Sequence, residues 1–339
     1  EKLNFVERDE MLIVLTFCVI GIICLIYSNW ERNQLKLEQY SLFSKKIKRK
    51  FRFVFLTDLH EKEFGEDNSI LMEKIRSLKP DCVLIGGDFP ISHSSEETEA
   101  RDEVEKGIAL LHKLKAEFKV FYSFGNHEEK LFSKKEIKGR KTAFREALEG
   151  VNLIDEKGVF LDEGIYLAGF PLDISYYRPL YFKEKKPLEE EIREKWKSAI
   201  ADSKGKGVQE SSDFEAKTKQ GIYISEEENR RDSSKKVKEE KNTGVFCIAM
   251  LHSPFYREEA LSLGVDLLLS GHFHGGAVGI PFIALMTPQF RFFVGKPRGL
   301  FKRDGQHYFI SRGLGTHTVN VRINNFPELS CFDLCPLKE

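Results

Sequence analysis

The chain has 339 residues, of which 41% are hydrophobic and 31% charged, and its formal net charge is zero. This length allows one large or two ordinary domains, and the composition is typical of a folded globular protein with a sizeable core. The neutral balance provides no global basic field, and no nucleic-acid-binding motif is present, so we predict no nucleic-acid partner.

An uncharged apolar run, MLIVLTFCVIGIICLIY, occupies residues 11–27. Its length is close to the lower limit for a helix that spans a bilayer, and Trp30 follows where an interfacial aromatic residue is expected. We predict an N-terminal tail at 1–10, a transmembrane helix at 11–28 and a juxtamembrane linker at 29–50. A cleaved signal peptide and a buried core helix are the alternatives. They fit less well, because no cleavage-site motif follows the run and no polar face interrupts it.

The charges on the two sides of this run differ. Lys2 and Arg8 precede it among four acids, whereas seven Lys and Arg residues lie between residues 32 and 50. The positive-inside rule therefore predicts a single-pass membrane protein whose large C-terminal part faces the cytoplasm. The basic run at residues 45–50 has two interpretations, contact with anionic headgroups or a solvated approach to the first strand of the domain.

Strands and helices alternate in the rest of the chain, which predicts a layered α/β fold. The predicted strands are, in chain order, residues 52–57, 82–85, 120–123, a hairpin at 159–168, 245–250, 265–269, 308–311 and 319–323. The predicted helices are residues 69–78 and 96–115. A stretch dense in Lys, Glu, Ser and Asp, at about 181–242, predicts a charged insertion made of a helix and a mobile loop. The main domain is predicted at 51–325, and a C-terminal tail at 326–339.

Five predicted strands end in residues that are typical metal ligands. These groups are Asp58-Leu59-His60, Gly87-Asp88, Gly125-Asn126-His127-Glu128, His252 and Gly271-His272-Phe273-His274. Each group alone is common in turns, but five in order after apolar runs are not expected by chance. Loops at strand ends are where open α/β sheets build their sites. We therefore predict a single site made from all five.

The donor types indicate which ions this site would hold. Imidazole nitrogens mixed with carboxylate and amide oxygens suit Mn, Fe, Zn or Ni better than Mg or Ca. Two such ions about 3.5–4 Å apart can clamp the attacking and leaving oxygens of a phosphoryl displacement. Asp88 suits the bridging position because its two carboxylate oxygens can bind one ion each.

The motifs D-x-H, G-D, G-N-H-[DE], H and G-H-x-H resemble those of the calcineurin-like metallophosphoesterase superfamily, over about residues 50–325 apart from the insertion. The resemblance implies a four-layer α/β/β/α sandwich, here preceded by the transmembrane helix. It implies a first metal held by Asp58, His60, Asp88 and His274. It implies a second metal held by Asp88, Asn126, His252 and His272. His127 would not bind metal but would stabilise charge on the phosphoryl group and protonate the leaving oxygen, so His127 and Asp88 are the predicted catalytic residues.

The apolar segment, the Asn-His-Glu sequence and Gly313-Leu314-Gly315 resemble the membrane-associated YkuE- and YaeI-like branch, which includes UDP-2,3-diacylglucosamine pyrophosphatases. We therefore predict a membrane-anchored phosphohydrolase with two divalent ions, manganese first, and iron, zinc or nickel as alternatives. It would cleave a phosphodiester or pyrophosphate by attack of a hydroxide that bridges the metals. The favoured partners are the lipid bilayer and a lipid-linked substrate such as UDP-2,3-diacylglucosamine. The alternatives are a general phosphodiesterase or phosphatase on a soluble nucleotide or a protein, and a non-catalytic membrane scaffold.

Several further residues have two interpretations. Arg298 and Arg312 are candidates to neutralise the phosphoryl oxygens, and structural ion pairs are the alternative. His317 is a candidate at the site because it follows Gly315, and a surface position is the alternative. The Phe-rich stretch at 282–301 predicts either a lipid-facing groove or core packing.

Overall fold

The computed structural model describes residues 2–93, 98–155, 158–177, 185–201, 244–280, 283–287, 292–317 and 320–337. The helices are α1 Lys2–Glu31, α2 Ser69–Leu78, α3 Glu105–Glu117, α4 Asn126–Ser133, α5 Arg140–Ala147, α6 Glu190–Ala201 and a short helix at Arg257–Leu261, with single 3-10 turns at Glu66–Asn68, Ile174–Tyr176 and Pro254–Tyr256. The strands are β1 Lys36–Ser44, β2 Phe51–Leu56, β3 Cys82–Ile85, β4 Val120–Tyr122, β5 Asn152–Leu153, β6 Gly158–Asp162, β7 Ile165–Gly169, β8 Phe246–Met250, β9 Leu267–Ser270, β10 Val278–Ile280, β11 Ile283–Met286, β12 Phe292–Gly295, β13 Gly299–Arg303, β14 Gln306–Ile310 and β15 Glu328–Pro336.

Twelve of these strands form two six-stranded sheets, ordered β1-β15-β2-β3-β4-β5 and β13-β14-β9-β8-β7-β6. In the first sheet β2, β3, β4 and β5 are parallel, and β15 pairs antiparallel with β2. In the second sheet β7, β8, β9 and β14 are parallel. Strands β10, β11 and β12 form a separate antiparallel sheet. Because parallel strands end at the same edge, each large sheet has one edge where several loops meet.

The core follows the two-residue periodicity of the strands. In β2, Phe53 and Phe55 join a buried cluster to which both large sheets contribute, whereas Val54 and Leu56 join a cluster with α2, α3, α4 and α5. The other face of the second sheet forms a third cluster that includes Trp196 of α6. Successive strand residues point to opposite faces, so each large sheet is buried on both faces. The predicted mixed α/β class is confirmed.

Both predicted ends of the domain differ from the structure. Lys36–Ser44, inside the predicted linker, and Glu328–Pro336, inside the predicted tail, pair as parallel strands of the first sheet. The tail prediction is wrong because β15 alternates its apolar residues: Leu329 packs towards the helices and Phe332 towards the second sheet. β15 therefore fills the position between β1 and β2 and is part of the core.

Two other predicted elements need correction. The helix predicted at 96–115 begins only at Glu105, because Ile91 and Glu103 form a β-bridge that holds the preceding chain extended. The strand predicted at 319–323 is wrong for the described residues 320–323, where only Ile323 makes a single bridge. In the charged insertion, the predicted helix corresponds to α6, while residues 202–243 lie outside the described residues.

The first helix carries the apolar run. Within α1, Glu10–Glu31 is a 22-residue stretch that is long and apolar enough to cross a membrane. Only 6% of its most apolar window is buried, so it does not serve as a core helix of the described domain. A signal sequence would satisfy the same criteria of length and composition.

The basic run at residues 45–50 follows β1. Lys46 pairs with Asp266, at 2.7 Å, and Lys50 pairs with Asp333, at 2.8 Å. These acids belong to the folded domain, which favours the interpretation of the run as an approach to the first strand over contact with headgroups.

Candidate active site

The five predicted ligand groups meet in one place. They follow β2, β3 and β4 in the first sheet and β8 and β9 in the second, where the carboxyl ends of the parallel strands face each other. Each of the seven predicted ligand side chains is at most 5% exposed. So many buried polar groups need hydrogen-bonding, ionic or metal partners, so this cluster is a candidate functional site.

The backbone of the site is strained. The residues Asp58, His60, Asp88, His272 and His274 all have positive φ values, between 45° and 68°. Left-handed conformations in residues other than glycine cost about 1–3 kcal/mol each and persist where the surrounding structure enforces them. The turns also need glycine: a Cβ on Gly87, which has a φ of 91°, would lie 2.3 Å from the backbone nitrogen of Gly125.

The first predicted metal group is assembled around Asp58. His274 Nε2 lies 3.2 Å from Asp58 Oδ1 and 3.1 Å from His60 Nε2, and His60 Nε2 lies 3.8 Å from Asp88 Oδ2. His274 Nδ1 is 3.0 Å from the carbonyl oxygen of Gly315, which can only accept a hydrogen bond. His274 therefore carries a proton on Nδ1, and in the neutral ring Nε2 directs its lone pair at the site.

The second predicted group lies on the other side of Asp88. His252 Nδ1 donates to the carbonyl oxygen of Gly86 at 2.7 Å, and its Nε2 lies 3.0 Å from Asp88 Oδ2. Donor atoms of Asp88, His252 and His272 all lie within 4.8 Å of one another. Asn126 Oδ1 is buried, and among the described residues it has no hydrogen-bond partner. A buried amide oxygen without a partner fits a metal ligand.

Asp88 lies between the two groups. Its Oδ1 accepts a hydrogen bond from the backbone N–H of His127 at 2.8 Å. Its Oδ2 faces both His60 and His252. The two oxygens are therefore not equivalent, and Oδ2 is the one that lies between histidines of the two predicted groups.

Burial and charge set the protonation of the histidines. Burial lowers the pKa of His60 well below its ordinary value and that of His272 to about 3. Burial also favours neutral His252, but the carboxylates of Asp88 and Asp58 outweigh it and raise its pKa to about 10. Burial likewise opposes ionisation of Asp58, yet His274 and His252 hold its pKa below the ordinary value. The two carboxylates therefore favour positive charge beside them, which a divalent ion would supply.

His127 differs from the other histidines of the cluster. Its Nδ1 accepts a hydrogen bond from the backbone N–H of Ser92 at 2.8 Å. Burial lowers its pKa well below the ordinary value, so the ring is neutral and its proton lies on Nε2. That nitrogen is buried, has no hydrogen-bond partner among the described side chains and backbone, and lies 4.0 Å from Asp88 Oδ2. It presents an N–H donor, which suits an anionic oxygen and not a metal ion.

Glu128 joins two of the loops. Its carboxylate accepts hydrogen bonds from the backbone N–H groups of Asp88, Phe89 and Gly125 at 2.9–3.0 Å and from the hydroxyl of Tyr122 at 2.5 Å. Burial, followed by the nearby carboxylate of Asp88, raises its pKa to about 7. The carboxylate caps the start of α4 and fixes the Gly87-Asp88 turn against it.

The structure also places His317 at the site. Its ring centroid lies 4.4 Å from that of His60 and 4.6 Å from that of His127. Donor atoms of His60, His274 and His317 form a further cluster within 4.8 Å. His317 follows β14, which is parallel to β9, so it belongs to a sixth strand-end loop. That loop had a visible signal, a histidine shortly after a glycine pair at the end of a predicted strand.

The two candidate arginines bind the protein itself. Arg312 pairs with Glu328 at 2.8 Å and with Glu38. Arg298 donates to the carbonyl oxygen of Asn324 at 2.8 Å and to Asn325 Oδ1 at 2.9 Å. These contacts favour the structural interpretation, although both side chains lie beside Gly275 in the His274 turn.

Sequence reasoning missed Arg322. It is 1% exposed and donates to the carbonyl oxygens of Arg312, Gly313 and Gly315. Burial lowers its pKa to about 9. The carbonyl of Gly315 orients His274, so Arg322 holds in place the backbone group that positions a predicted metal ligand. No spacing rule reveals such a residue, because its partners are backbone groups.

The donor set and the unpartnered Asn126 oxygen fit a site for divalent ions, and comparisons with known proteins agree. Residues 51–276 match the family model described as calcineurin-like phosphoesterase. The chain is 32% identical over 93 residues to YkuE of Bacillus subtilis, described as an uncharacterized metallophosphoesterase, and 32% identical over 88 residues to YkoQ of the same organism, described likewise. These matches cover 26% and 25% of this chain and 31% and 32% of the two relatives. The chain thus spans about a third of the length of these relatives.

Among solved structures, the NAD nucleotidase of Haemophilus influenzae is similar at a TM-score of 0.37 and 12% identity, over 78% of this chain and 45% of that one. The family match, in contrast, includes more than half of the chain and all seven predicted ligands. The chain therefore belongs to the calcineurin-like phosphoesterase family.

Proposed function

We propose that the protein is a metal-dependent phosphoester hydrolase that binds two divalent ions, manganese first, between the two sheets. The first ion would be held by Asp58, His60, Asp88 and His274, and the second by Asp88, Asn126, His252 and His272. The observation that carries the proposal is the contrast between His127, which presents an N–H, and His252 and His274, whose Nδ1 atoms donate to backbone carbonyls. When bound, the ions would supply Lewis acidity to the phosphoryl group and lower the pKa of water.

The protein residues have separate parts in the proposed reaction. Asp58 and Asp88 supply the negative charge that attracts two cations to a buried position. Nε2 of His127 donates its hydrogen bond to a phosphoryl or leaving-group oxygen as negative charge develops there, which is the kind of preorganised donor that stabilises a transition state most. Ser92 fixes the ring for this purpose, because a ring that rotated would present an acceptor.

We further propose the finer points that the sequence predicts. The protein would be anchored by α1 with its catalytic domain in the cytoplasm. Its three buried clusters support the four-layer order of helices, sheet, sheet and helices. Its substrate would be a phosphodiester or pyrophosphate, with a lipid-linked compound such as UDP-2,3-diacylglucosamine as the favoured example.

A turnover assay with purified full-length protein and Mn²⁺ tests the catalytic proposal. Bis-p-nitrophenyl phosphate should be hydrolysed, and both Asp88→Ala and His127→Ala should abolish turnover. His112→Ala, at an exposed position of α3, is the matched control and should keep it. Metal analysis separates the two roles, because D88A should lose bound ions whereas H127A should retain them. Unchanged turnover in both variants would contradict the proposal, whereas no turnover by the wild-type protein would favour a non-catalytic scaffold.

A further inference from the structure

The C-terminal end of α1 is built into the domain. Ser28 and Glu31 are 2% and 0% exposed. Ser28 Oγ accepts a hydrogen bond from the backbone N–H of Arg322 at 2.9 Å. The carboxylate of Glu31 accepts from the backbone N–H of Asn324 at 2.8 Å and from that of Asn325. A buried carboxylate paired with two backbone donors fixes the end of the helix in direction as well as position.

The residues that hold α1 also hold the candidate site. Asn325 Nδ2 donates to the carbonyl oxygen of His274 at 2.6 Å. Arg322 donates to the carbonyl oxygen of Gly315 at 2.8 Å, and the same oxygen accepts from His274 Nδ1. Glu31 at the end of the apolar helix is thus connected to a predicted metal ligand through one residue, Asn325.

Strand directions place α1 at the edge of the sheet where the site lies. β1 begins at Lys36, is parallel to β15, and β15 is antiparallel to β2. The start of β1 therefore lies at the edge where β2 ends, and β2 ends at Leu56, two residues before Asp58. The basic run that follows Ser44 lies about 30 Å away, at the opposite edge, because nine strand residues rise about 3.3 Å each. If α1 spans a bilayer, the site faces that bilayer.

A second apolar surface is attached to the same segment. Gly279 of β10 donates from its backbone N–H to the carbonyl oxygen of Ile323 at 3.0 Å, and Asn324 Nδ2 donates to the carbonyl oxygen of Gly279 at 3.1 Å. In the same three-stranded sheet, Phe292 and Phe293 are 59% and 75% exposed. Two adjacent exposed phenylalanines are unfavourable in water and indicate a contact surface.

The conformation of this surface supports the same interpretation. Phe293 has a φ of 53°, which is rare for an aromatic residue, and it adjoins Phe292 at the surface although strand neighbours normally point to opposite faces. Ile283, paired with Gly295 on the neighbouring strand, is also exposed, and Lys296 follows as an exposed cation. Apolar rings beside a Lys are the combination that binds an anionic bilayer surface.

We propose that the sheet β10–β12 is a second contact with the bilayer that α1 enters, made by Phe292, Phe293 and Ile283 with Lys296 at the headgroups. The site would then receive phosphate groups from the headgroup layer of an anionic phospholipid membrane and not from bulk solution. This inference rests on the proposed membrane anchoring and deepens the proposed lipid-linked substrate. The bilayer is favoured over a second copy of the chain because one segment, residues 322–325, carries both the apolar helix and the apolar sheet.

Depth-dependent fluorescence quenching tests the proposal without requiring activity. Full-length protein would be placed in nanodiscs of phosphatidylcholine and phosphatidylglycerol with and without doxyl-labelled lipid. Phe293→Cys carries an NBD probe in a background where Cys18, Cys24 and Cys335, the cysteines that are not buried, are replaced by Ser. Ile137→Cys is the matched control, since Ile137 is as exposed as Phe292 but lies between α4 and α5.

Doxyl lipid should quench the probe at position 293 at least twofold and leave the probe at 137 unchanged. Phe292→Cys gives an independent variant if the strained position 293 does not tolerate Cys. Equal quenching at 293, 292 and 137 would overturn the proposal, and so would a probe shielded equally in detergent and in lipid, which indicates a second copy. A probe on native Cys18, in a separate variant in which only Cys24 and Cys335 are replaced by Ser, decides the anchor: if doxyl lipid does not quench it, the anchoring fails and the inference with it. Failure to hydrolyse phosphoesters would affect only the proposed function.

Discussion

The backbone N–H of Ser92 lies 2.8 Å from Nδ1 of His127 and donates a hydrogen bond to it. Ser92 in turn is held by Asp102, which accepts from its hydroxyl at 3.1 Å and from Lys134 Nζ at 2.7 Å. Asp102 is 0% exposed and Lys134 8%. The orientation of His127, which presents an N–H to the site, therefore depends on a buried ion pair that includes none of the predicted metal ligands.

We expect the double variant Asp102→Asn, Lys134→Met to lower kcat about ten- to hundredfold, because a displaced donor loses much of its effect on the transition state. Both residues are changed together, since removing one alone would leave an unpaired buried charge. Bound metal and KM should stay near the wild-type values. The tautomer of His127, read from the ¹⁵N shifts of its ring, should change; an unchanged tautomer with reduced kcat would argue for a different cause.

The turn with His272 and His274 should separate the two metal positions. His274 lies beside Asp58 and His60, and His272 clusters with Asp88 and His252. We expect His274→Ala to weaken the first ion and His272→Ala the second, each by at least tenfold in affinity. Metal titration followed by elemental analysis measures this, with His112→Ala as the control. Equal loss of both ions from either variant would show that the positions are not independent.

Glu128→Gln should destabilise the protein. The carboxylate accepts hydrogen bonds from three backbone N–H groups and from the Tyr122 hydroxyl. The amide of Gln has only one acceptor oxygen, and its NH₂ group would face some of these same donors. Each buried donor left without a partner costs about 1–3 kcal/mol, so we expect a loss of about 2–4 kcal/mol in the free energy of unfolding. Chemical denaturation measures it. A loss no larger than that of an exposed substitution such as Glu73→Gln would contradict the role assigned to Glu128.

The raised pKa of Glu129 predicts that the stability of the protein depends on pH. Burial, followed by repulsion from Asp155 and Asp173, raises its pKa to about 7 from an ordinary 4.5. Ionisation of Glu129 is therefore less favourable in the folded protein than in the unfolded chain. The stability that neutral Glu129 allows is complete below pH 4.5 and is lost as pH rises to 7. Glu129→Gln should match the wild type at pH 4 and exceed it by about 1 kcal/mol at pH 8, a value reduced for partial exposure. Thermal unfolding across this range checks the sign; a difference that grows towards low pH would refute it.

The sequence predicted the parts of the molecule that depend on local order along the chain. The apolar runs of β2, β3, β8 and β9 and the ligand groups after them were visible because each strand and its loop are contiguous. The positions of β1 and β15 were not visible in the sequence, because their pairing joins residues about 290 apart. A nine-residue alternation of apolar and polar residues near a terminus also resembles a tail. The tautomer of His127 could not be predicted from the sequence either, since it depends on a backbone N–H in another loop.

Arg322 supports His274 through backbone oxygens alone. Its buried guanidinium donates from Nη2 to the Gly315 carbonyl and from Nη1 to the Asn325 carbonyl, and an ammonium group cannot reproduce that planar fork. Arg322→Lys should therefore weaken the first ion about ten- to hundredfold, as changes behind a metal ligand commonly do, and leave the second nearly unchanged. Arg76→Lys, in a surface pair with Glu117 on α3, is the matched control and should leave both ions unchanged. Metal titration gives the answer, and retention of both ions in R322K would show that the Gly315 carbonyl is held in place without the arginine fork.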